Sequence, residues 1–390
     1  MNPFQRRISR KLLAFDTPAQ MLRNGLLWLL MLGAMVYAGH TLYWRYLYTY
    51  TPATMTTLSS KTQTYCVGRY LIDLPTELGK PRVGLTQFYY GLDMNFKTVE
   101  VQIKPEDYDR ASFERAAAAR LAELKTTQNE ELKIALLLHS ETVKTPNGDA
   151  LLLRFLENSH YKSAQIDTEL IVLIGQRYIV LTGSSSPPEE LVFADLVTHK
   201  FIDPKPTEDR LKHIAQNLRS YTDPLKAPEG FCLDGVVFND KTMGYDEEKS
   251  SFAASLPSLG VRFEVHMAGK TGQDQKSLFQ RLERKFPELQ AAAAEQGEHV
   301  RLMRKAELQL NGMRFQDWSD EYIEPSKGNL VTHSFSAENV MASLSLLRPS
   351  IALEFSAGWD KSSPFTAEQA THIWDAALKS LRLSPANGGA

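Results

Sequence analysis

The chain can be laid on itself, and this constrains its fold more than any other feature. Its only two cysteines, Cys66 in TYCVGRY and Cys232 in GFCLDGV, each follow an aromatic residue, precede an apolar run, and stand 166 residues apart. Phe113 in ASFERAAAARLAEL matches Phe279 in KSLFQRLERKFPEL at the same offset. Asn147-Gly148 and Asn311-Gly312 follow in each copy, and this dipeptide is a strong hairpin-turn signal. RYIVLTGSSSP then aligns with PSIALEFSAGW, Ile179 on Ile351 and Leu181 on Leu353. TEDRLKHIAQNLRS lies on TAEQATHIWDAALKS, Thr207 on Thr366 and His213 on His372. Such collinear matches read as two copies of one domain, with loops of unequal length absorbing the drift in offset.

Each copy reads as strand, strand, helix, strand, a hairpin at Asn-Gly, more strand and a closing helix. Val99, Val101 and Ile103 alternate with polar neighbours in TVEVQIK, as do Val261, Phe263 and Val265 in VRFEVHM, the pattern of a sheet with one wet face. Phe113, Ala117, Leu121 and Leu124 form one helical stripe, and Leu278, Leu282 and Phe286 another that Pro287 interrupts. Thr207 and Thr366, with Glu208 and Glu368 in the first turn, read as helix starts. The fold class expected is α+β: two tandem similar domains, each an antiparallel sheet with packed helices, preceded by one transmembrane helix.

That last element comes from the first 50 residues. Arg6, Arg7, Arg10, Lys11 and Arg23 precede GLLWLLMLGAMVYAGHTLYW, an uncharged stretch long enough to cross a hydrocarbon layer, and only Arg45 follows closely. The asymmetry places the N-terminus in the cytoplasm and the rest beyond the inner membrane. A cleaved signal peptide, with Val36 and Ala38 before the cut, is the competing reading; the long basic segment favours a retained anchor. The expected organisation is a cytoplasmic segment at 1–24, a membrane anchor at 25–44, a tether at 45–64, domain one at 65–222, a linker at 223–228 and domain two at 229–386.

No familiar chemistry emerges. The 390 residues carry a formal net charge of -2, which supplies no basic excess for nucleic acid. There is no Cys-x-x-Cys or His-Glu-x-x-His, and His213 and His372 read as a repeated packing position rather than as metal ligands. GSSSPPEE lacks the second glycine of a nucleophile elbow, and GKTG has Glu264 where a phosphate loop needs its first glycine. No catalytic, cofactor-binding or metal site is expected, and no cofactor.

Two features remain. In an oxidising compartment Cys66 and Cys232 either meet across an approximate twofold as a disulfide or lie buried as one thiol per core. DWSDEYIEP interleaves Asp317, Asp320, Glu321 and Glu324 with Trp318 and Tyr322. It reads either as an edge strand with its aromatics in the core or as a partner interface, to which Trp359 and Asp360 of GWD add a second loop.

YCVGRYLIDLPTE opening the first copy and GFCLDG opening the second resemble the two-domain immunity proteins that neutralise a class of type VI secretion lipase effectors in Gram-negative bacteria, the class-four lipase immunity family. The resemblance covers residues 60–386. It implies a periplasmic protein that is no enzyme, whose two similar domains grip a cognate phospholipase and block substrate access; it supplies no catalytic residues. The alternatives are a membrane-anchored envelope scaffold with another protein partner and an exported hydrolase whose site goes unrecognised.

Overall fold

In the computed structural model the described residues are 25–38, 58, 61–91, 97–129, 133–156, 165–186, 202–240, 244–268, 276–340, 346, 348–358 and 361–384. Residues Met1–Ala53 and Thr54–Ala390 are separate compact units.

The first unit contains a helix, α1, at residues 25–38. Its 14 described residues reach about 21 Å at 1.5 Å per residue, well short of a hydrocarbon core about 30 Å thick. Among the described residues no helix is long and apolar enough to cross a membrane, which corrects the expected transmembrane segment at 25–44. The expected cytoplasmic segment at 1–24, and most of the tether at 45–64, fall outside the described residues.

Among its described residues the second unit runs through nine strands and two α-helices, and then through the same order again. First come β1 (Thr62–Val67), β2 (Tyr70–Pro75), β3 (Arg82–Tyr89), β4 (Thr98–Asp107), α2 (Arg110–Thr126), β5 (Leu137–Thr145), β6 (Gly148–Leu156), β7 (Ile166–Ile174), β8 (Arg177–Ser185), α3 (Lys205–Asn217) and β9 (Leu218–Ser220). Then follow β10 (Phe231–Leu233), β11 (Val236–Phe238), β12 (Glu247–Leu256), β13 (Val261–Ala268), α4 (Leu278–Glu295), β14 (His299–Leu310), β15 (Met313–Glu324), β16 (Leu330–Asn339), β17 (Ser350–Ala357), α5 (Ala367–Ser380) and β18 (Arg382–Leu383).

The helix starts follow from their caps. Thr366 caps α5 with a full capping box, its hydroxyl taking the Gln369 amide proton while the Gln369 side chain takes that of Thr366. Ser277 and Gln280 do the same for α4, and Asp109 caps α2. Thr207 is no cap: α3 begins at Lys205, and the Thr207 hydroxyl lies 2.8 Å from that of Ser185. Pro287 lies inside α4 without ending it.

Twelve strands form one continuous antiparallel sheet in the order β14-β15-β16-β17-β13-β12-β3-β4-β8-β7-β6-β5. The halves join edge to edge where β12 pairs with β3, from Glu247↔Tyr89 to Ala253↔Arg82. The fold is therefore mostly antiparallel sheet with five described helices, and the separate sheets expected of two tandem domains are replaced by one. Pairing the two inner edges satisfies backbone groups that two separate sheets would leave open.

The hairpins reinforce this union by exchange. β18, which closes the second half, adds to β2 of the first, and β9, which closes the first, adds to β11 of the second. Both hairpins lie against one face of the large sheet, with α3 and α5, over a core that includes Tyr70, Phe88, Phe231, Phe238, Phe335 and Trp374. Phe88 meets Phe231, Phe238 and Tyr245 edge-on at 4.9–5.5 Å between centroids. On the opposite face, α2 packs over β5–β7 through Phe113, Ala117 and Leu124. α4 covers β14 and β15, Phe286 meeting Trp318 at 5.2 Å.

Candidate partner-binding face

Between α2 and α4 this second face carries a strip of small and polar side chains. Because side chains alternate along a strand, the residues between the buried ones define it. On β17 these are Ala352, Glu354 and Ser356; on β13, Arg262, Glu264 and His266; on β12, Lys249, Ser251 and Ala253. Gln87 and Tyr89 on β3 and Glu100 and Gln102 on β4 continue it. All are half-exposed or exposed, and five strands at ~4.8 Å spacing make the strip about 20 Å across.

Its electrostatics are specific. Gln87 donates to Glu100 at 2.9 Å and accepts from the Tyr89 hydroxyl at 2.7 Å, while the Lys249 ammonium sits 4.6 Å from the Tyr89 ring centroid. Glu264 and Glu354 stand directly opposite each other on neighbouring strands, and the Arg262 guanidinium donates to Glu264. Carboxylate oxygens of Glu264 and Glu354 and a ring nitrogen of His266 lie within 4.8 Å of one another. A cation could bridge them, but their exposure makes them equally fit to receive a partner's side chain. The floor of Ala and Ser would let a partner's backbone approach closely.

The sequence-based interface candidates lie elsewhere. β15 is an interior strand between β14 and β16, not an edge. Asp317 is fully buried, taking hydrogen bonds from Arg304 and, at 2.8 Å, from the Trp374 indole. Burial pushes its carboxyl above the ordinary value, and these donors offset only part of the rise. Trp318 is 4% exposed against Phe286. Glu321 is buried between His333 and Arg301; burial raises its pKa, but these two partners outweigh it and hold the group below its usual value. Asp320 and Tyr322 are half-buried, Tyr322 donating to Glu298. Trp359 and Asp360 lie outside the described residues. The strip instead draws on eleven polar or charged residues that no functional motif marks; only the strand alternation could have found them.

One cluster bears on the hydrolase alternative. His333 Nδ1 lies 3.0 Å from the Ser363 hydroxyl and Nε2 lies 3.3 Å from Glu321, so serine, imidazole and carboxylate stand in line. Ser363 is 0% exposed, and its oxygen accepts the Phe365 amide proton at 3.2 Å. A substrate carbonyl cannot reach that hydroxyl, so the cluster clips the segment before α5 onto β16.

Cys66 on β1 and Cys232 on β10 form a disulfide with their Cα atoms 5.8 Å apart. Beside it Gly68 and Cys232 exchange two backbone hydrogen bonds of 3.2 and 2.7 Å. Gly68 has φ +57°, a left-handed conformation that favours glycine, and a Cβ there would also displace the end of the flexible Met267 side chain.

Comparison with known proteins gives these features a context. No curated protein sequence matches the chain. Solved structures do. A chain of the Tle4-Tli4 complex matches with a TM-score of 0.59 and 18% identity, over 83% of this chain and 98% of that one. The immunity protein TplEi of the type VI secretion system of Pseudomonas aeruginosa matches in its apo form with a TM-score of 0.61 and 17% identity, over 85% and 99%. Its complex with an "L" peptide gives 0.56 and 17%, over 84% and 99%. At this identity the likeness is one of fold. Residues 226–386 match the family model of the Tle cognate immunity protein 4 C-terminal domain. That second half is thus similar to the C-terminal domain of Tle cognate immunity protein 4.

Proposed function

We propose that this protein is an immunity protein that binds a type VI secretion lipase effector and inhibits it without chemistry of its own. The match of residues 226–386 to the Tle cognate immunity family carries the reading. The fold agrees with it, since almost the full length of TplEi is spanned. The polar strip between α2 and α4 is the surface we assign to the effector: a rigid sheet floor loses little conformational freedom on binding, so its contacts translate into affinity. An inhibitor seated there works by occupying the effector and keeping substrate from it. The periplasm is the compartment we assign, supported by a disulfide that an oxidising environment preserves.

The test is a titration of a cognate Tle phospholipase with the full chain. Activity should fall to zero at a fixed stoichiometry, and the chain alone should hydrolyse no phospholipid or ester. Full lipase activity at excess protein would refute the reading and favour a scaffold with another partner.

A further inference from the structure

We propose that the Cys66–Cys232 bridge is a thiol-exchange site, opened by a small peptide-like thiol that enters a cavity beside Cys66 and attacks the Cys66 sulfur. The two sulfurs have unequal surroundings. A cavity of about 310 Å³ is lined by Cys66 together with Gln63, Tyr65, Lys80, Tyr221 and Asp234, and Cys232 is not part of its wall. Both cysteines are buried in one cluster with Leu71, Ala227 and Val237, Cys66 5% and Cys232 1% exposed, so the cavity wall is what distinguishes them. The volume is at the lower end of the range that admits small molecules and is far too small for a folded oxidoreductase. Lys80 is ion-paired with Asp234 in the cavity wall, so the pair offers a cation and an anion to the carboxylates and ammonium of a thiol such as glutathione; Gln63 adds an amide, and Tyr65 and Tyr221 offer apolar walls.

The entering thiol loses its proton to water, and its thiolate forms a bond to Sγ of Cys66. The Cys66–Cys232 bond breaks, and its electron pair leaves with Cys232 as a thiolate, which water then protonates. The product is a mixed disulfide at Cys66 and a reduced Cys232; the entering sulfur has been oxidised to the disulfide level.

Opening the bridge leaves the halves joined. The β3–β12 ladder, the exchanged strands β9 and β18, and the mutual hydrogen bonds of Gly68 and Cys232 all persist without it. Cys232 therefore stays beside Cys66 and can attack the mixed disulfide to expel the thiol again. Cys66 is thus a reversible S-thiolation site, independent of which protein the strip binds.

To test this, the folded full chain is incubated with reduced glutathione, quenched with N-ethylmaleimide and mapped by peptide mass spectrometry. Glutathione is expected on Cys66 and maleimide on Cys232, in roughly tenfold or greater excess over the reverse, because access decides which sulfur is attacked. Gln63→Trp, which places bulk at an exposed cavity residue, should slow the exchange several-fold while the unfolding midpoint stays put. Adducts divided evenly, adducts on Cys232, an unchanged rate in Gln63→Trp, or exchange only when denaturant is added would each overturn the proposal.

Discussion

Arg69 and Glu248 form a buried bidentate ion pair, Nε to Oε1 at 2.7 Å and Nη2 to Oε2 at 3.0 Å, that ties the β1–β2 turn to β12. The Tyr245 hydroxyl accepts from Arg69 at 2.9 Å and donates to Glu248 at 3.1 Å. Burial pushes the Glu248 carboxyl up and Arg69 pulls it back, so removing the arginine leaves a carboxyl that must take a proton or remain an unpaired buried charge. Arg69→Met should cost about 3–5 kcal/mol in urea denaturation at neutral pH. Arg69→Met combined with Glu248→Leu should recover most of that loss; additive losses would mean that each residue acts alone.

The disulfide closes a loop of 166 residues. Chain entropy sets the loss on replacing both cysteines by alanine at no more than about 5 kcal/mol. Because the sheet and the exchanged strands remain, the double variant should keep its far-UV circular dichroism and unfold at lower denaturant. Lost secondary structure would show that the bridge is a condition of folding.

Asp320 gives a pH signature. Burial raises its pKa to about 6 from 3.8, a hydrogen bond from Trp318 opposing the rise. The folded carboxyl then holds a proton that the unfolded one has released, so its contribution to stability declines as pH climbs from about 4 to about 6 and is level above. Asp320→Asn should therefore stabilise the protein by about 1–3 kcal/mol at pH 8 and by almost nothing at pH 3.5, measured as denaturation midpoints. An equal gain at both pH values would contradict this assignment.

Substitutions on the strip and on β15 should separate binding from stability. Ala352→Trp or Glu354→Lys, which change exposed or half-exposed positions on β17, should weaken effector inhibition at least tenfold and shift stability by less than about 0.5 kcal/mol. Trp318→Ala, which empties a packed site beside Phe286, should cost about 3 kcal/mol and leave the affinity of the folded fraction unchanged. Isothermal titration with the effector, paired with thermal melts, distinguishes the two effects. Strip variants of full potency would move the interface elsewhere.

Much of the strand pattern was legible. Val99 and Val101 are fully buried between half-exposed Thr98 and Glu100, as the alternation in TVEVQIK requires, and Val261, Phe263 and Val265 behave alike on β13. The Asn-Gly turns held more than their dipeptide announced: Asn147 donates to the Leu218 carbonyl at 3.0 Å, and Asn311 to that of Leu381 at 2.7 Å, so each turn fastens the end of a closing helix. The union of the two sheets was not legible, because edge pairing of β3 with β12 runs between strands 164 residues apart, as for Thr86 and Ser250, and leaves no local trace. The acids of β15 misled for a related reason. Asp317 and Glu321 look solvent-facing in sequence, yet Arg304, Trp374 and His333 reach them from elsewhere in the fold. The apolar run after Arg23 fits a membrane by composition, whereas helix length is a property of the backbone.

The crossing of β9 and β18 bears on how such a protein could arise. One copy alone would have a hairpin with no third strand and a closing strand with no hairpin, while two identical copies would complete each other by reciprocal swapping. Fusing the two copies of such a strand-swapped dimer end to end would produce the pairing seen in this chain, with the association made permanent by the peptide link. Cutting it at the linker should yield fragments that are sticky apart and soluble only when recombined.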